Sequence, residues 1–225
     1  MYFKKSTYKW LYDNVHSKYY DLLMKFCYLP FGGENNFRKK MLEGVEFGQE
    51  ENILDMCCGT GGTTFLIADK INETSEIIGI DLSTSQIKKA KRKNKFPNVI
   101  FKEGDVTNTK FIEEFFDKVF ISFALHEMKR DERLSVLKEA KRVLKDSGKL
   151  TIFEIDKPGS NLRKLFNFFW FFYWLPLNPE TQTRKDLQRH KLTNEIKETG
   201  LEVISKTNYN KGTFQTVLAK KINTH

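Results

Sequence analysis

Between residues 51 and 155, short β-branched apolar runs alternate with stretches of helical periodicity. ENILDM (51–56), EIIGID (76–81), NVIFKEGD (98–105), DKVFISF (117–123) and GKLTIFEI (148–155) read as strands. A helix is predicted over 61–70, a second opens at Ser83 and carries KKAKRKNK, and a third covers 131–144, with apolar Leu134, Val136, Leu137, Ala140, Val143 and Leu144. This is the βαβ rhythm, and it predicts an α/β architecture with an open, mostly parallel sheet. Such sheets take ligands beyond the carboxyl ends of their strands, so functional residues are expected just after each strand.

The flanks differ. About 48 helical, aromatic-rich residues (Tyr8, Trp10, Tyr12, Tyr19, Tyr20, Phe26, Tyr28) precede the first strand and read as a lid. After the fifth strand come an aromatic segment, a polar helix over 184–199, and then LEVISKT and GTFQTVLAKK, whose alternation predicts an antiparallel pair closing the sheet. At 225 residues the chain suits one domain with appendages: lid 1–48, core 49–156, aromatic insertion 157–199, and C-terminal hairpin 200–225.

With 40% apolar and 30% charged residues, disordered and low-complexity classes are excluded. The net charge of +9 favours loose association with something anionic, nucleic acid or a membrane surface, without specifying chemistry. Three cysteines, two of them adjacent (Cys57, Cys58), fit neither a disulfide framework nor zinc-ligand spacing, so no metal is expected and the cytoplasm is the expected compartment. No apolar run follows the basic N-terminal residues, and no signal peptide is read there. Residues 165–177 (LFNFFWFFYWLPL) would span roughly 20 Å as a helix, short of a bilayer core of about 30 Å. The run Phe168, Phe169, Trp170, Phe171, Phe172, Tyr173 and Trp174 is apolar on every helical face, which suggests contact with an apolar ligand or a membrane interface, where Arg163 and Lys164 would meet anionic headgroups. The Lys88 to Lys95 cluster reads as a solvated helix face.

The chemistry starts at Asp55-Met-Cys-Cys-Gly59-Thr-Gly61-Gly62, a glycine-rich turn that ends a strand and opens a helix, where missing Cβ atoms let a ligand approach backbone. Asp81 ends the next strand, 22 residues beyond Gly59, the distance at which an acid can accept from ribose hydroxyls. Asp105 ends the third. A nicotinamide dinucleotide competes poorly, because its fingerprint needs a third glycine where Thr64 stands and Asp55 would repel a pyrophosphate. A cofactor with adenosine at one end and a cationic amino acid at the other suits all three acids, and S-adenosylmethionine has that form.

ILDMCCGTGG, GIDLSTSQI, GDV and DKVFISFALHEM resemble the four landmark motifs of class I S-adenosylmethionine-dependent methyltransferases. Within that superfamily the chain resembles the ubiquinone/menaquinone biosynthesis C-methyltransferases, whose N-terminal segment VHSKYYDLLMKFCYLPFGGENNFRKKML is similar and whose substrate-facing insertion falls where the aromatic segment lies. The resemblance implies a seven-stranded Rossmann-like fold. It also implies that Asp55 and the Gly59 and Gly61 backbone hold the methionine end, with Cys57 at the first glycine position. Asp81 would take the ribose hydroxyls, Leu82 and Gln86 would flank the adenine, and Asp105 with the Val106 amide would read its edge. Ser122 would border the sulfonium, and Tyr20 would close over the methionine moiety. Gln86 stands where many relatives carry Met, and the chain after Leu177 follows the family loosely.

Methyl transfer from a sulfonium needs mainly positioning, with a general base useful for a phenolic acceptor. His126, just past the fourth strand, is the candidate catalytic residue, with Glu127 or Glu154 to orient it; packing of the turn is the alternative role. Cys57 and Cys58 read as small fillers under the cofactor. The expected acceptor is a small lipophilic quinol methylated on carbon, near a membrane surface, with N- or O-methylation of another lipid or small apolar acceptor as the alternative. Nucleic acid ranks below both: the chain has Ser122-Phe-Ala-Leu where base amino methyltransferases carry Asn/Asp-Pro-Pro-aromatic, and strands four and five lack a nucleophilic cysteine. A non-enzymatic cofactor-binding role ranks lower still, because the acids at 55, 81 and 105 are all present.

Overall fold

A computed structural model of the chain describes Trp10, Asp13, residues 28–157 and residues 180–222. Tyr20 and the aromatic segment 165–177 with Arg163 and Lys164 lie outside the described residues. Among the described residues, seven strands form one sheet: β1 (Asn52–Met56), β2 (Glu76–Asp81), β3 (Val99–Glu103), β4 (Phe116–Ser122), β5 (Leu144–Ile155), β6 (Leu201–Tyr209) and β7 (Phe214–Lys221). Their order is β3-β2-β1-β4-β5-β7-β6. The first five are parallel, and β7 enters antiparallel between β5 and β6.

Among the described residues, the helices are α1 (Glu34–Met41), α2 (Gly62–Ala68), α3 (Thr84–Lys93), α4 (Arg130–Val143), α5 (Glu180–His190) and α6 (Leu192–Glu198). A parallel sheet is covered on both faces, which is why its strands read as continuous apolar runs. Leu54 and Met56 of β1 pack with Val136 and Leu137 of α4, while Ile53, on the other face, packs with Ile67 of α2 and Ile87 of α3. These side chains are fully or almost fully buried, each contributing roughly 1.5–3 kcal/mol. None of the described helices is long and apolar enough to cross a membrane.

Two expected boundaries are corrected. β5 starts at Leu144 instead of residue 148: α4 runs straight into it, Leu144 pairs with Phe116, and the register shifts before Lys118 meets Lys149. The helix expected over 184–199 is two helices, broken at Lys191 (φ 65°). The break lets Leu187 of α5 and both Leu192 and Ile196 of α6 reach the same core.

From β1 the chain moves outward to β2 and β3, then crosses back to β4 on the other side of β1. The strand order reverses between β1 and β4, and the crevice beyond their carboxyl ends is the place where such sheets take ligands.

Candidate active site

The turn from β1 to α2 is left-handed at Cys57 (φ 59°), Gly59 (φ 55°) and Gly61 (φ 86°). At Gly61 a Cβ would lie 2.8 Å from the Phe65 ring and 3.0 Å from Phe101, so glycine is required for space as well as for φ. Cys57 takes this conformation without being glycine, and so does Phe123, just past β4 (φ 54°). Strain of this kind costs roughly 1–2 kcal/mol per residue and persists where the surroundings over-determine it. Here the two strained residues flank the switch point between β1 and β4.

Side chains alternate along β1, so Asp55 projects to the same face as Ile53, toward α2. There Thr64 Oγ1 donates to Asp55 Oδ2 at 2.6 Å. The carboxyl group is 0% exposed. Burial pushes it up from 3.8 to about 7; the Thr64 hydrogen bond and the Arg38 charge oppose the shift, and the Asp81 charge adds to it. Asp55 Oδ1 is buried with no hydrogen-bond partner among the described residues. Burial, then the Asp81 and Asp55 charges, push the Cys57 and Cys58 thiols well above their ordinary range, which makes them packing groups and poor nucleophiles.

Asp81 at the end of β2 accepts from Gly59 N through Oδ2 and from Ser83 N through Oδ1, both at 2.9 Å. The acid thereby ties the glycine turn to the start of α3. Ser83 caps α3 by accepting from Gln86 N at 3.2 Å. Leu82 is half-buried, and Gln86 is 1% exposed with its Oε1 lacking a partner among the described residues. After β3, Asp105 Oδ1 accepts from the Thr107 amide (2.9 Å) and hydroxyl (2.7 Å), beside buried Val106.

Ser122 ends β4, and its Oγ is buried without a partner among the described residues. The chain then turns through Phe123 into a short 3-10 turn, Leu125–Glu127. His126 Nδ1 lies 2.7 Å from Glu154 Oε1, while Nε2 is 3.9 Å from Glu127 Oε1. Of the two acids expected to orient His126, Glu154 makes the hydrogen bond. The structure thus gathers Asp55, Cys57, Gly59, Gly61, Asp81, Leu82, Gln86, Asp105, Val106, Ser122 and His126 along the carboxyl edge of β1 to β4. Tyr20 lies outside the described residues.

Sequence reasoning missed three participants. Thr64, noted there only as the absent third glycine, holds Asp55. Arg38 of α1 donates to Thr63 Oγ1 (2.9 Å) and Glu34 Oε1 (2.8 Å), and its guanidinium lies 5.1 Å from the Phe123 ring centroid. Its signal, one Arg in a basic helix, is indistinguishable in sequence from its neighbours Lys39 and Lys40. Asp13 of the N-terminal segment accepts from Ser83 Oγ (2.6 Å) and Ser85 N (3.0 Å), adding a negative charge at the N-terminus of α3.

Three buried polar atoms along this edge lack partners among the described residues: Asp55 Oδ1, Gln86 Oε1 and Ser122 Oγ. Three more lie elsewhere among the described residues (Glu51 Oε2, Asn98 Oδ1 and Arg130 Nε); buried polar atoms are nearly always paired, so the three at this edge are able to take a ligand. Two of the three are acceptors, calling for a ligand with N–H or O–H donors near both β1 and α3. Asp55 and Asp81, an acidic pair in a chain of net charge +9, favour positive charge on that ligand.

Comparison with known proteins agrees. Residues 53–148 match the model of the methyltransferase domain family. The chain is 30% identical over 175 residues to a demethylmenaquinone methyltransferase of Staphylococcus saprophyticus, covering 77% of this chain and 73% of that one. It is 29% identical over 206 residues to an uncharacterised methyltransferase of Synechocystis, covering 89% and 90%. Among solved structures, a SAM-dependent methyltransferase from Aquifex aeolicus superposes with a TM-score of 0.64 at 18% identity, covering 96% of this chain and 98% of that one. With this fold, this glycine turn and these relatives, the chain belongs to the class I S-adenosylmethionine-dependent methyltransferases and resembles those of quinone biosynthesis.

Proposed function

We propose that this methyltransferase methylates a ring carbon of a small lipophilic quinol. The cofactor is S-adenosylmethionine. The residues present fit it: the orphaned buried acceptor Asp55 Oδ1 matches the N–H donors of the ammonium that this cofactor carries at its methionine end. That match is the observation that carries the placement. Asp55 would hold the ammonium, with Cys57 and the Gly59 and Gly61 backbone along the methionine end. Asp81 would take the ribose hydroxyls, Leu82 and Gln86 the adenine faces, and Asp105 with the Val106 amide its edge. Ser122 would border the sulfonium, and Tyr20 would close the site. When bound, the cofactor supplies an activated methyl group on positively charged sulfur.

The quinol reading is supported by the similarity to the staphylococcal demethylmenaquinone methyltransferase and by His126 standing four residues past Ser122. His126 would take the acceptor's hydroxyl proton, leaving the O–H pair on oxygen and raising electron density at the adjacent ring carbon. The proton lost overall is the one that the ring carbon carried, so the hydroxyl proton returns after transfer. Such base catalysis is worth roughly 10²–10⁴-fold.

The test uses methyl-labelled S-adenosylmethionine with a reduced, ring-unsubstituted prenyl naphthoquinol, followed by partition into organic, aqueous and macromolecular fractions. Label in the organic phase on a ring carbon, located by NMR, supports the reading. Label recovered as a methyl ether or an N-methyl group moves the acceptor to the alternative class, and label in added RNA or protein overturns it.

A further inference from the structure

Glu154 lies on β5, is 0% exposed, and collects four N–H contacts on its two oxygens. Oε2 accepts from Leu125 N at 2.9 Å and His126 N at 3.2 Å. Oε1 accepts from Ile155 N at 2.7 Å and faces His126 Nδ1 at 2.7 Å. Three of these partners are backbone amides, which can only donate. The one contact able to hold a carboxyl proton is Oε1···Nδ1. Imidazole is the stronger base of the two, and three amide donors favour the acceptor-only carboxylate, so the shared proton lies on His126 Nδ1.

We propose that Glu154 is the positioning residue of the site, holding His126 as the Nδ1–H tautomer so that Nε2 bears the basic lone pair. This rests on the reading of His126 as the base. In a neutral imidazole one nitrogen donates and the other accepts, and the partner of one decides the role of the other. The same carboxylate fixes the ring in space, because it grips the amides of Leu125 and His126 together with the imidazole. Once Nε2 has taken a proton, the imidazolium lies between Glu154 at 2.7 Å and Glu127 at 3.9 Å, both of which stabilise it. A neutral Nε2 base of this kind serves acceptors with an ionisable hydroxyl beside the reacting carbon, and it offers nothing to an acceptor without a proton to lose.

Imidazole ¹⁵N spectra of histidine-labelled protein read the tautomer without any acceptor, and the chain has four histidines, with His126 assigned from its loss in His126→Gln. The expected result is a protonated Nδ1 and an unprotonated Nε2 on His126 at neutral charge, a pattern lost in Glu154→Gln. Turnover of Glu154→Gln should fall by about tenfold or more, with cofactor affinity unchanged, and the acid limb of its pH profile should move to lower pH. A wild-type His126 protonated on Nε2 overturns the proposal, as does a Glu154→Gln variant with the wild-type tautomer or full turnover. Should Glu154→Gln fail to fold, Glu154→Asp and the wild-type spectrum decide. The base reading fails separately, through full activity of His126→Gln, whatever the tautomer shows.

Discussion

Gly59 donates its backbone N–H to Asp81 Oδ2 at 2.9 Å, so the acid that ends β2 holds the glycine turn that follows β1. Ser83 N binds the other carboxylate oxygen, and one side chain thereby sets the geometry of both loops. Asp81→Ala should weaken S-adenosylhomocysteine binding by an order of magnitude or more in calorimetry, and should lower Tm as well, since hydrogen bonds to a charged group contribute about 1.5–3 kcal/mol. Unchanged affinity would place the ribose elsewhere.

Asp55 is expected to set a pH dependence. Its carboxyl group is raised from 3.8 to about 7 in the folded chain, chiefly by burial. Between these values the native state holds a proton that the unfolded chain has lost, so stability falls as pH rises from about 4 to 7 and levels off above. The shift corresponds to a cost of the order of 4 kcal/mol at pH 8. In thermal melts, Asp55→Asn should gain relative to wild type as pH rises from 5 to 8, while losing cofactor affinity. Binding of the cationic cofactor near pH 6.5 should release protons, seen as a buffer-dependent enthalpy; a difference between variant and wild type that stays flat with pH would reject the shifted carboxyl.

The two glycines of the turn should separate in their effects. Gly61→Ala adds a Cβ 2.8 Å from Phe65 at φ 86°, whereas Gly59→Ala, at φ 55°, meets nothing within 4 Å. Chemical denaturation should show a loss of about 2–3 kcal/mol for Gly61→Ala and about 1 kcal/mol for Gly59→Ala. Because Gly59 borders open space, its variant should lose more in cofactor affinity than in stability.

Arg133 of α4 is 0% exposed and links α4 to α5 and α6 through Asp186 (2.8 Å) and Glu195 (2.6 and 2.8 Å), while donating to Met128 O just past the His126 turn. Arg133→Ala would leave Glu195, itself 1% exposed, without its two short hydrogen bonds and with only the Arg130 guanidinium 3.9 Å away. A loss of about 3–5 kcal/mol is expected by urea denaturation, partly recovered in Arg133→Met with Glu195→Gln. Full stability of the single variant would show that the helices hold without the pair.

Much of the fold was legible because its signals are local. EIIGID at 76–81 matches β2 residue for residue, and Ser83 is the cap of α3, since alternation and capping depend on neighbours in the chain. The entry of β7 between β5 and β6, the start of β5 at Leu144 and the break at Lys191 were not legible. Each depends on which apolar face finds which partner across the sheet, and no periodicity records that.

At the site the same division holds. Acids after three successive strands and a glycine turn opening the first helix are readable from the order of residues alone, and parallel strands bring all their carboxyl ends to one edge. Tertiary structure decided what those residues touch. Thr64 reaches Asp55 from across the turn, Arg38 arrives from a helix before the sheet begins, Asp13 meets Ser83 from 70 residues away, and Glu154 reaches back 28 residues to His126. These contacts follow from packing α1, α2 and α3 on one face of the sheet and laying β5 beside β4, so they exist only once the chain has closed around its two cores.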